Sequence, residues 1–305
     1  MKPLAEMNLI DNFLFWAVLS HEEYGPEAAK TILEAILQRT IGSVKVHAQK
    51  VLYGADSNMH GIRMDAYITE EHPGELAGEV FDIEPDRGRS KKAELPFRTR
   101  YYHALTDTYA LEAGKKYSHL PVSYVMMITD YDPFDRNRMV YTIMNQCLEE
   151  PDMPYYDGQC TLYLYVDGDQ TGAPEELANM LQYMKSSTNE KAVDAKLKAL
   201  QAMVEAVKAS KEVQKSYMTF QDLLDQEVEE ELEKKLEKEL EKARKEVRDE
   251  ESRKRLEAEQ RATLRVEQEK MRAELAEQRA DAERQRAQDL QKELDRLKKL
   301  LTSVQ

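Results

Sequence analysis

From residue 227 to residue 301 the chain contains neither glycine nor proline. A run of that length without a helix breaker leaves one regular outcome, a long helix. Leu232, Leu236, Leu240, Ala243 and Val247 recur every three to four residues, and Leu290, Leu294, Leu297 and Leu301 repeat the spacing at the far end. The pattern predicts a coiled coil and a homo-oligomer, because association buries the leucine seam. The competing outcome is a solvated single helix held by Glu–Lys and Glu–Arg pairs one turn apart. Acidic and basic residues interleave along it rather than forming one basic face, which argues against a DNA-binding tail.

The rest of the chain has the opposite character. Aromatic residues concentrate before about Tyr183, so the front of the chain can bury a core and the back cannot. The division expected is an α/β domain over residues 1–185, a helical connector over 186–226 and a charged coiled coil over 227–305. Residues 1–200 carry 20 basic and 31 acidic side chains, and residues 201–305 carry 24 and 27. An acidic front domain is poor material for general DNA affinity, so any DNA contact must use a local basic patch. The candidates are Arg87, Arg89, Lys91, Lys92, Arg98 and Arg100. Two cysteines, Cys147 and Cys160, imply no disulfide framework. No apolar run reaches the roughly 18 residues a membrane span requires, and no signal-peptide pattern opens the chain. A cytoplasmic protein with no membrane association is expected.

Periodicity places helices near residues 8–20, 26–39, 96–113 and 174–184, with a further helical stretch at 186–222. Strands are expected at 44–52, 60–69, 79–85, 121–129 and 160–166, and 139–147 reads as a strand running into a helical turn. Glu70, Glu71, Pro73 and Gly74 read as a turn with solvated charges. Asp130, Asp132 and Asp135 read as an Asp-rich turn, with a second cation site as the alternative. Cys147 reads as a buried small residue. Asp11 sits where it would cap the first helix.

The chemistry concentrates in residues 61–102. Two short strands each deliver carboxylates, Asp65 from the first and Asp82 and Glu84 from the second. Side chains alternate along a strand, so Asp82 and Glu84 share a face, and a hairpin brings Asp65 beside one of them. Crowded carboxylates repel unless a cation lies between them, and hard oxygen ligands suit Mg²⁺, Mn²⁺ or Ca²⁺. The plainer outcome is a set of solvated carboxylates at strand ends. Arg98 and Arg100 follow on a helix; they either hold phosphate or neutralise Asp65, Asp82 and Glu84 directly.

The order of short motifs adds to this. Residues 11–19 (DNFLFWAVL), 61–67 (GIRMDAY), 81–84 (FDIE), 95–102 (LPFRTRYY) and 124–134 (YVMMITDYDPF) occur in sequence. Together they resemble the PD-(D/E)XK nuclease family transposases, the recombination-promoting nuclease/putative transposase (Rpn) family, over residues 8–170. The resemblance implies a restriction-endonuclease-like α/β core and a metal-dependent DNA endonuclease that hydrolyses phosphodiester bonds, possibly promoting recombination. It implies catalytic roles at Asp65, Glu84 and Asp86, and metal ligation by Asp65, Glu84 and Asp11. It places phosphate contacts at Arg98, Arg100 and Lys92. The chain departs from the family at Glu84-Pro85-Asp86, where the third catalytic position carries Gln or Lys in the family and the wider superfamily. The departure leaves a second expectation open, a non-catalytic member serving as an oligomeric scaffold or interaction module.

Overall fold

A computed structural model describes residues 2–52, 62–71, 78–111 and 113–302. The expected turn at Pro73 and Gly74, and Gly61, lie outside the described residues. The chain divides into two units, Met1–Leu223 and Leu224–Gln305. The first unit therefore extends beyond residue 185.

The first unit is α/β. Its chain order is α1 (Asn12–Leu19), α2 (Gly25–Leu37), β1 (Ser43–Leu52), β2 (Ile62–Glu71), β3 (Glu79–Asp86), α3 (Leu95–Ala110), β4 (Val122–Thr129), β5 (Val140–Ile143), β6 (Gln159–Tyr165), α4 (Glu175–Lys185) and α5 (Ala195–Ala209). The six strands form one mixed sheet in the order β1-β2-β3-β4-β6-β5. β1, β2 and β3 are antiparallel neighbours; β3, β4 and β6 run parallel; β5 pairs antiparallel at the edge. The parallel step from β3 to β4 is bridged by α3, as a parallel pair requires a crossover.

Both faces of the sheet are covered, and the apolar runs follow from that. Along β4, Tyr124, Met126 and Ile128 join the core shared with α1, α2, α4 and α5, while Val125 and Met127 join the core under α3. This is why β4 reads as a continuous apolar run rather than an alternating one. Phe81 and Ile83 face the first core and Val80 the second. Asp82, Glu84 and Asp86 share the parity of Val80, so they lie on the face that α3 covers.

Helix α3 is held in register by hydroxyls as well as apolar contacts. His103 Nδ1 meets Ser123 Oγ at 2.9 Å on β4, and Nε2 meets Thr161 Oγ1 at 2.9 Å on β6. Thr99 Oγ1 lies 2.8 Å from the Tyr163 hydroxyl. These partners are buried, where an unpaired hydroxyl or imidazole would be costly, and they fix which α3 residues meet β3.

The helices on the other face close around the N-terminal segment. The Leu9 N–H donates to Ser187 Oγ at 2.8 Å and the Ile10 N–H to the Met184 carbonyl at 3.0 Å. Lys208 Nζ donates to the Met7 carbonyl at 2.6 Å. Leu197, Leu200, Val204 and Val207 of α5 are buried in the same core, so this segment is part of the domain's packing.

Several local expectations are corrected. Glu70 lies in β2 and is buried; its carboxylate accepts from the Gly42 N–H and from Arg39, so it is not a solvated turn charge. Residues 144–147 do not form the helical turn expected after β5. Residues 186–194 are not α-helical, and the 186–222 stretch is broken at Ser210, whose backbone is extended (φ −64°, ψ 126°). Cys147 is half-buried, with its thiol directed at Glu149. Asp132 builds the Asp-rich turn by accepting from the Phe134 and Asn137 N–H groups and the Tyr141 hydroxyl.

After Ser210 the chain continues as α6 (Lys211–Thr302). Within the first unit its start packs Tyr217 and Phe220 against Phe13, at ring-centroid distances of 4.9 and 5.2 Å. The second unit is helical from Leu224 to Thr302. Its described leucines, including Leu232, Leu236, Leu240, Leu290, Leu294 and Leu297, are all exposed. No described helix is long and apolar enough to cross a membrane.

Candidate active site

The β2–β3 hairpin brings the three carboxylates together. Its register pairs Tyr67 with Asp82 and Ala66 with Ile83. The recorded β2 pairing ends there, so Glu84, Pro85 and Asp86 pair with β4 alone. Pro85 cannot donate to a ladder and occupies this single-sided stretch. Where the ladder stops, the Asp65 N–H donates to Glu84 Oε1 at 2.6 Å instead of to a strand carbonyl. Met64 and Tyr67 both join the core under α3, whereas Ala66 and Ile68 join the opposite one, so strict alternation lapses beside Asp65. Asn12, the first residue of α1, reaches Asp65 Oδ2 at 3.3 Å.

Asp82 and Glu84 are 1% and 2% exposed. No donor of the protein reaches either oxygen of Asp82. Burial pushes Asp82 up to about 8; the Asp65 charge adds to this, while Glu84 and Arg98 oppose it. Burial, then the charges of Asp82 and Asp65, hold Glu84 well above the usual carboxylate range. Asp82 and Glu84 therefore hold their protons more tightly than exposed carboxylates do.

One cation from α3 serves the lower end of β3. Arg98 donates from Nη2 to Glu84 Oε2 at 3.1 Å, from Nη1 to Asp86 Oδ2, and from Nε to the Tyr102 hydroxyl at 3.0 Å. Its guanidinium also lies 5.4 Å from the Tyr102 ring centroid. Asp86 is fixed in turn by the Gly88 N–H at 2.6 Å and the Tyr131 hydroxyl at 3.2 Å. A third of the Arg98 side chain remains exposed. Asp86 therefore acts as an acceptor that orients Arg98.

The other expected residues are engaged with partners outside the three carboxylates. Asp11 occupies the cap position of α1 but makes no side-chain cap bond. Its carboxylate accepts from the Asn8 N–H at 2.7 Å, from Lys2 at 3.0 Å and from Arg87, which also binds Asp130 at 2.8 Å. Lys92 is paired with Asp135 at 2.6 Å. Arg100 lies on the exposed side of α3, 5.7 Å from the Phe97 ring centroid. Sequence reasoning missed Tyr131 and the His103–Ser123–Thr161 contacts, which carry no motif and depend on the β4–β6 pairing.

The donor set suits a hard divalent cation: three carboxylates, no sulfur, and two buried oxygens without a donor. Asp65, Asp82 and Glu84 are the residues whose oxygen chemistry would suit such an ion. Among the described residues no group of three His, Cys, Asp or Glu side chains is placed to hold a metal ion. A cavity of about 610 Å³ near Arg136, Arg138 and Asp169 contains none of these carboxylates.

Comparisons with family models, curated proteins and solved structures return no match to this chain.

Proposed function

We propose that the first unit is a metal-dependent DNA endonuclease domain of restriction-endonuclease-like architecture, hydrolysing phosphodiester bonds. The observation that carries this reading is the Asp82 carboxylate, fully buried beside Glu84 and Asp65 without a protein donor. A folded chain rarely leaves such a group unpartnered unless something outside the chain completes it.

Asp65, Asp82 and Glu84 would hold Mg²⁺, or Mn²⁺ or Ca²⁺ in its place. When bound, the ion supplies Lewis acidity toward a phosphate and lowers the pKa of a water nucleophile. The chain supplies the rest. The Asp65 N–H fixes one oxygen of Glu84, and Arg98 fixes the other. Arg98, oriented by Asp86 and Tyr102, presents its exposed part as a bidentate donor for a phosphate oxygen. It places a cationic group beside Glu84 although position 86 provides none. Arg100 offers a further contact from the exposed side of α3. The tail assembles copies of the domain into a homo-oligomer.

A second reading has its own observation. Arg98 already neutralises Glu84 and Asp86, which suits a stable interaction module without catalysis. Cleavage of supercoiled and linear DNA by the purified protein separates the two. Mg²⁺, Mn²⁺ and Ca²⁺ are compared with an EDTA control and with the Asp65→Ala, Glu84→Ala double variant. The endonuclease reading expects metal-dependent nicking that the double variant loses. A folded protein that cleaves with none of the ions leaves the scaffold reading.

A further inference from the structure

The two edges of the sheet are built differently. β1, at one edge, carries Lys45 and Lys50, and lysines discourage a further strand from pairing there. Val140, Tyr141, Thr142 and Ile143 of β5, at the other edge, bring neither charge nor proline. The Tyr165 N–H donates to the Met139 carbonyl at 2.9 Å, so the alternation of an antiparallel ladder turns the backbone groups of Tyr141 and Ile143 toward β6. Those of Val140 and Thr142 point away from the sheet, and among the described residues β5 has no strand partner but β6. Thr142 and Ile143 are exposed, so this edge is open.

A groove lies on each face of the open edge. On the face covered by α2 and α4, the cavity of about 610 Å³ is lined by Arg136, Arg138, Val140, Thr142, Leu162 and Leu164. On the face covered by α3, a cavity of about 330 Å³ is lined by Arg100, Phe134, Ile143, Met144 and Tyr163. Within β5, Val140 and Thr142 line the first and Ile143 the second, as the period of a strand requires.

The grooves differ in chemistry. Arg39, Arg87 and Arg98 are all spent on carboxylates, whereas among the described residues neither Arg136 nor Arg138 forms a salt bridge. Asp169 lines the same groove and feels the charge of Arg138, with its carboxylate accepting from the Thr171 N–H at 3.0 Å and the Thr171 hydroxyl at 2.8 Å. Two guanidinium groups against one carboxylate leave this groove positive, in a domain whose overall balance is acidic. In the second groove the hydroxyls of Thr99 and Thr161 are taken by Tyr163 and His103, so its walls offer mainly apolar surface.

An added strand accounts for both grooves at once. An extended chain laid along β5 meets the backbone of Val140 and Thr142 with its own, and its side chains alternate between the two faces. β5 is only four residues long, so its few backbone bonds hold a partner weakly and the grooves must supply the selectivity.

We infer that β5 receives an extended peptide segment of a partner protein in which acidic residues alternate with apolar ones. The carboxylates meet Arg136 and Arg138, and the apolar side chains enter the groove of Phe134, Ile143 and Met144. A second copy of β5 does not supply this chemistry, since residues 138–146 contain neither Asp nor Glu. The inference is independent of the nuclease reading, because neither groove is lined by Asp65, Asp82 or Glu84.

Binding to the full chain tests it, with a short fluorescent peptide alternating Glu with Val or Leu as the probe. The same peptide with Lys in place of each Glu should not bind. Methylating the backbone nitrogens of one alternate set of residues should abolish binding, and methylating the other set should leave it, because only every second amide faces β5. Arg136→Glu combined with Arg138→Glu should weaken the acidic peptide by about tenfold or more and admit the lysine peptide. Thr142→Pro removes an N–H that β6 does not use, so it should keep the fold and lose the peptide.

Absence of binding by the acidic peptide, equal binding by the lysine peptide, or equal effects of the two methylated sets overturns the inference. A dimer of the unsubstituted chain that Thr142→Pro dissolves would also overturn it, by giving the edge to a second copy.

Discussion

The backbone N–H of Asp65 donates to Glu84 Oε1 at 2.6 Å, across the point where β2 stops pairing with β3. One carboxylate residue thus orients the other through its main chain, leaving its own side chain to the cluster. The second oxygen of Glu84 is taken by Arg98, and Asp82 beside it is taken by no protein donor.

The consequence for pH follows from the sign of the shifts. Asp82 rises from an ordinary 3.8 to about 8, and Glu84 also lies well above its usual range. Between those values the folded chain binds more protons than the unfolded chain, so this cluster's contribution to stability is full below about pH 4 and is lost as the pH rises toward 8. In EDTA, Asp82→Asn should gain on the parent between pH 5.5 and pH 8.5, by on the order of a few kcal/mol. Thermal melts of both proteins across that range check it. A gap that does not change with pH shows that Asp82 does not titrate in the folded state.

Arg98 is the cation on which Glu84 and Asp86 both depend. Arg98→Met should destabilise the domain by about 3–5 kcal/mol, since it leaves two buried carboxylates without their cation. Arg98→Lys should lose less, keeping the charge but not the paired geometry. Urea unfolding of the two variants, with Asp86→Asn as the third corner of a double-variant cycle, measures the coupling. Additivity of Arg98→Met and Asp86→Asn would show that the ion pair carries no energy of its own.

His103 works in the opposite pH direction. Burial lowers its imidazole to about 4, so it is neutral while its two nitrogens meet Ser123 and Thr161. Its contribution is present above about 6.5 and is lost as the pH falls through 4. His103→Phe should cost about 2–4 kcal/mol at pH 7, with two buried hydroxyls left unpaired, and less at pH 4.5. Denaturant unfolding at the two pH values checks the difference.

Gly168 holds the end of β6 against the chain leading into β5. A Cβ at this position would lie 2.4 Å from the Met139 Cα and 2.5 Å from its nitrogen, a contact with backbone that no rotamer relieves. Gly168→Ala should therefore cost about 1–3 kcal/mol, the range of an overpacked site. Hydrogen exchange should show the loss first in the β5 amides, at the sheet edge. Unchanged β5 protection would mean that the backbone shifts at no cost.

The carboxylate site was legible because a strand's period is two: the alternation put Asp82 and Glu84 on one face, and a hairpin did the rest. The burial of Asp82 was not legible, because it arises from α3 lying across β3, and α3 is fixed by hydroxyl contacts to β4 and β6. Glu70 misread for a related reason. Its glutamate looks like turn chemistry beside Pro73 and Gly74, but β2 runs to Glu71, and the Gly42 N–H and Arg39 come from far along the chain. The break at Ser210 had a visible signal, a helix-capping residue type between two helical runs, which the apolar spacing across it obscured. The tail was the simplest part to read, since a segment without glycine or proline has few alternatives.

The contacts of Leu9, Ile10 and Met7 with Ser187, Met184 and Lys208 have a meaning for synthesis. Met7, Leu9 and Ile10 find these partners only after about two hundred further residues have been made. Until then the apolar side of α1 has no cover from α5, and a nascent chain carries it exposed through the whole of translation of the sheet. Most of α6 is made after these partners, so the domain has the means to close before the long helix is complete.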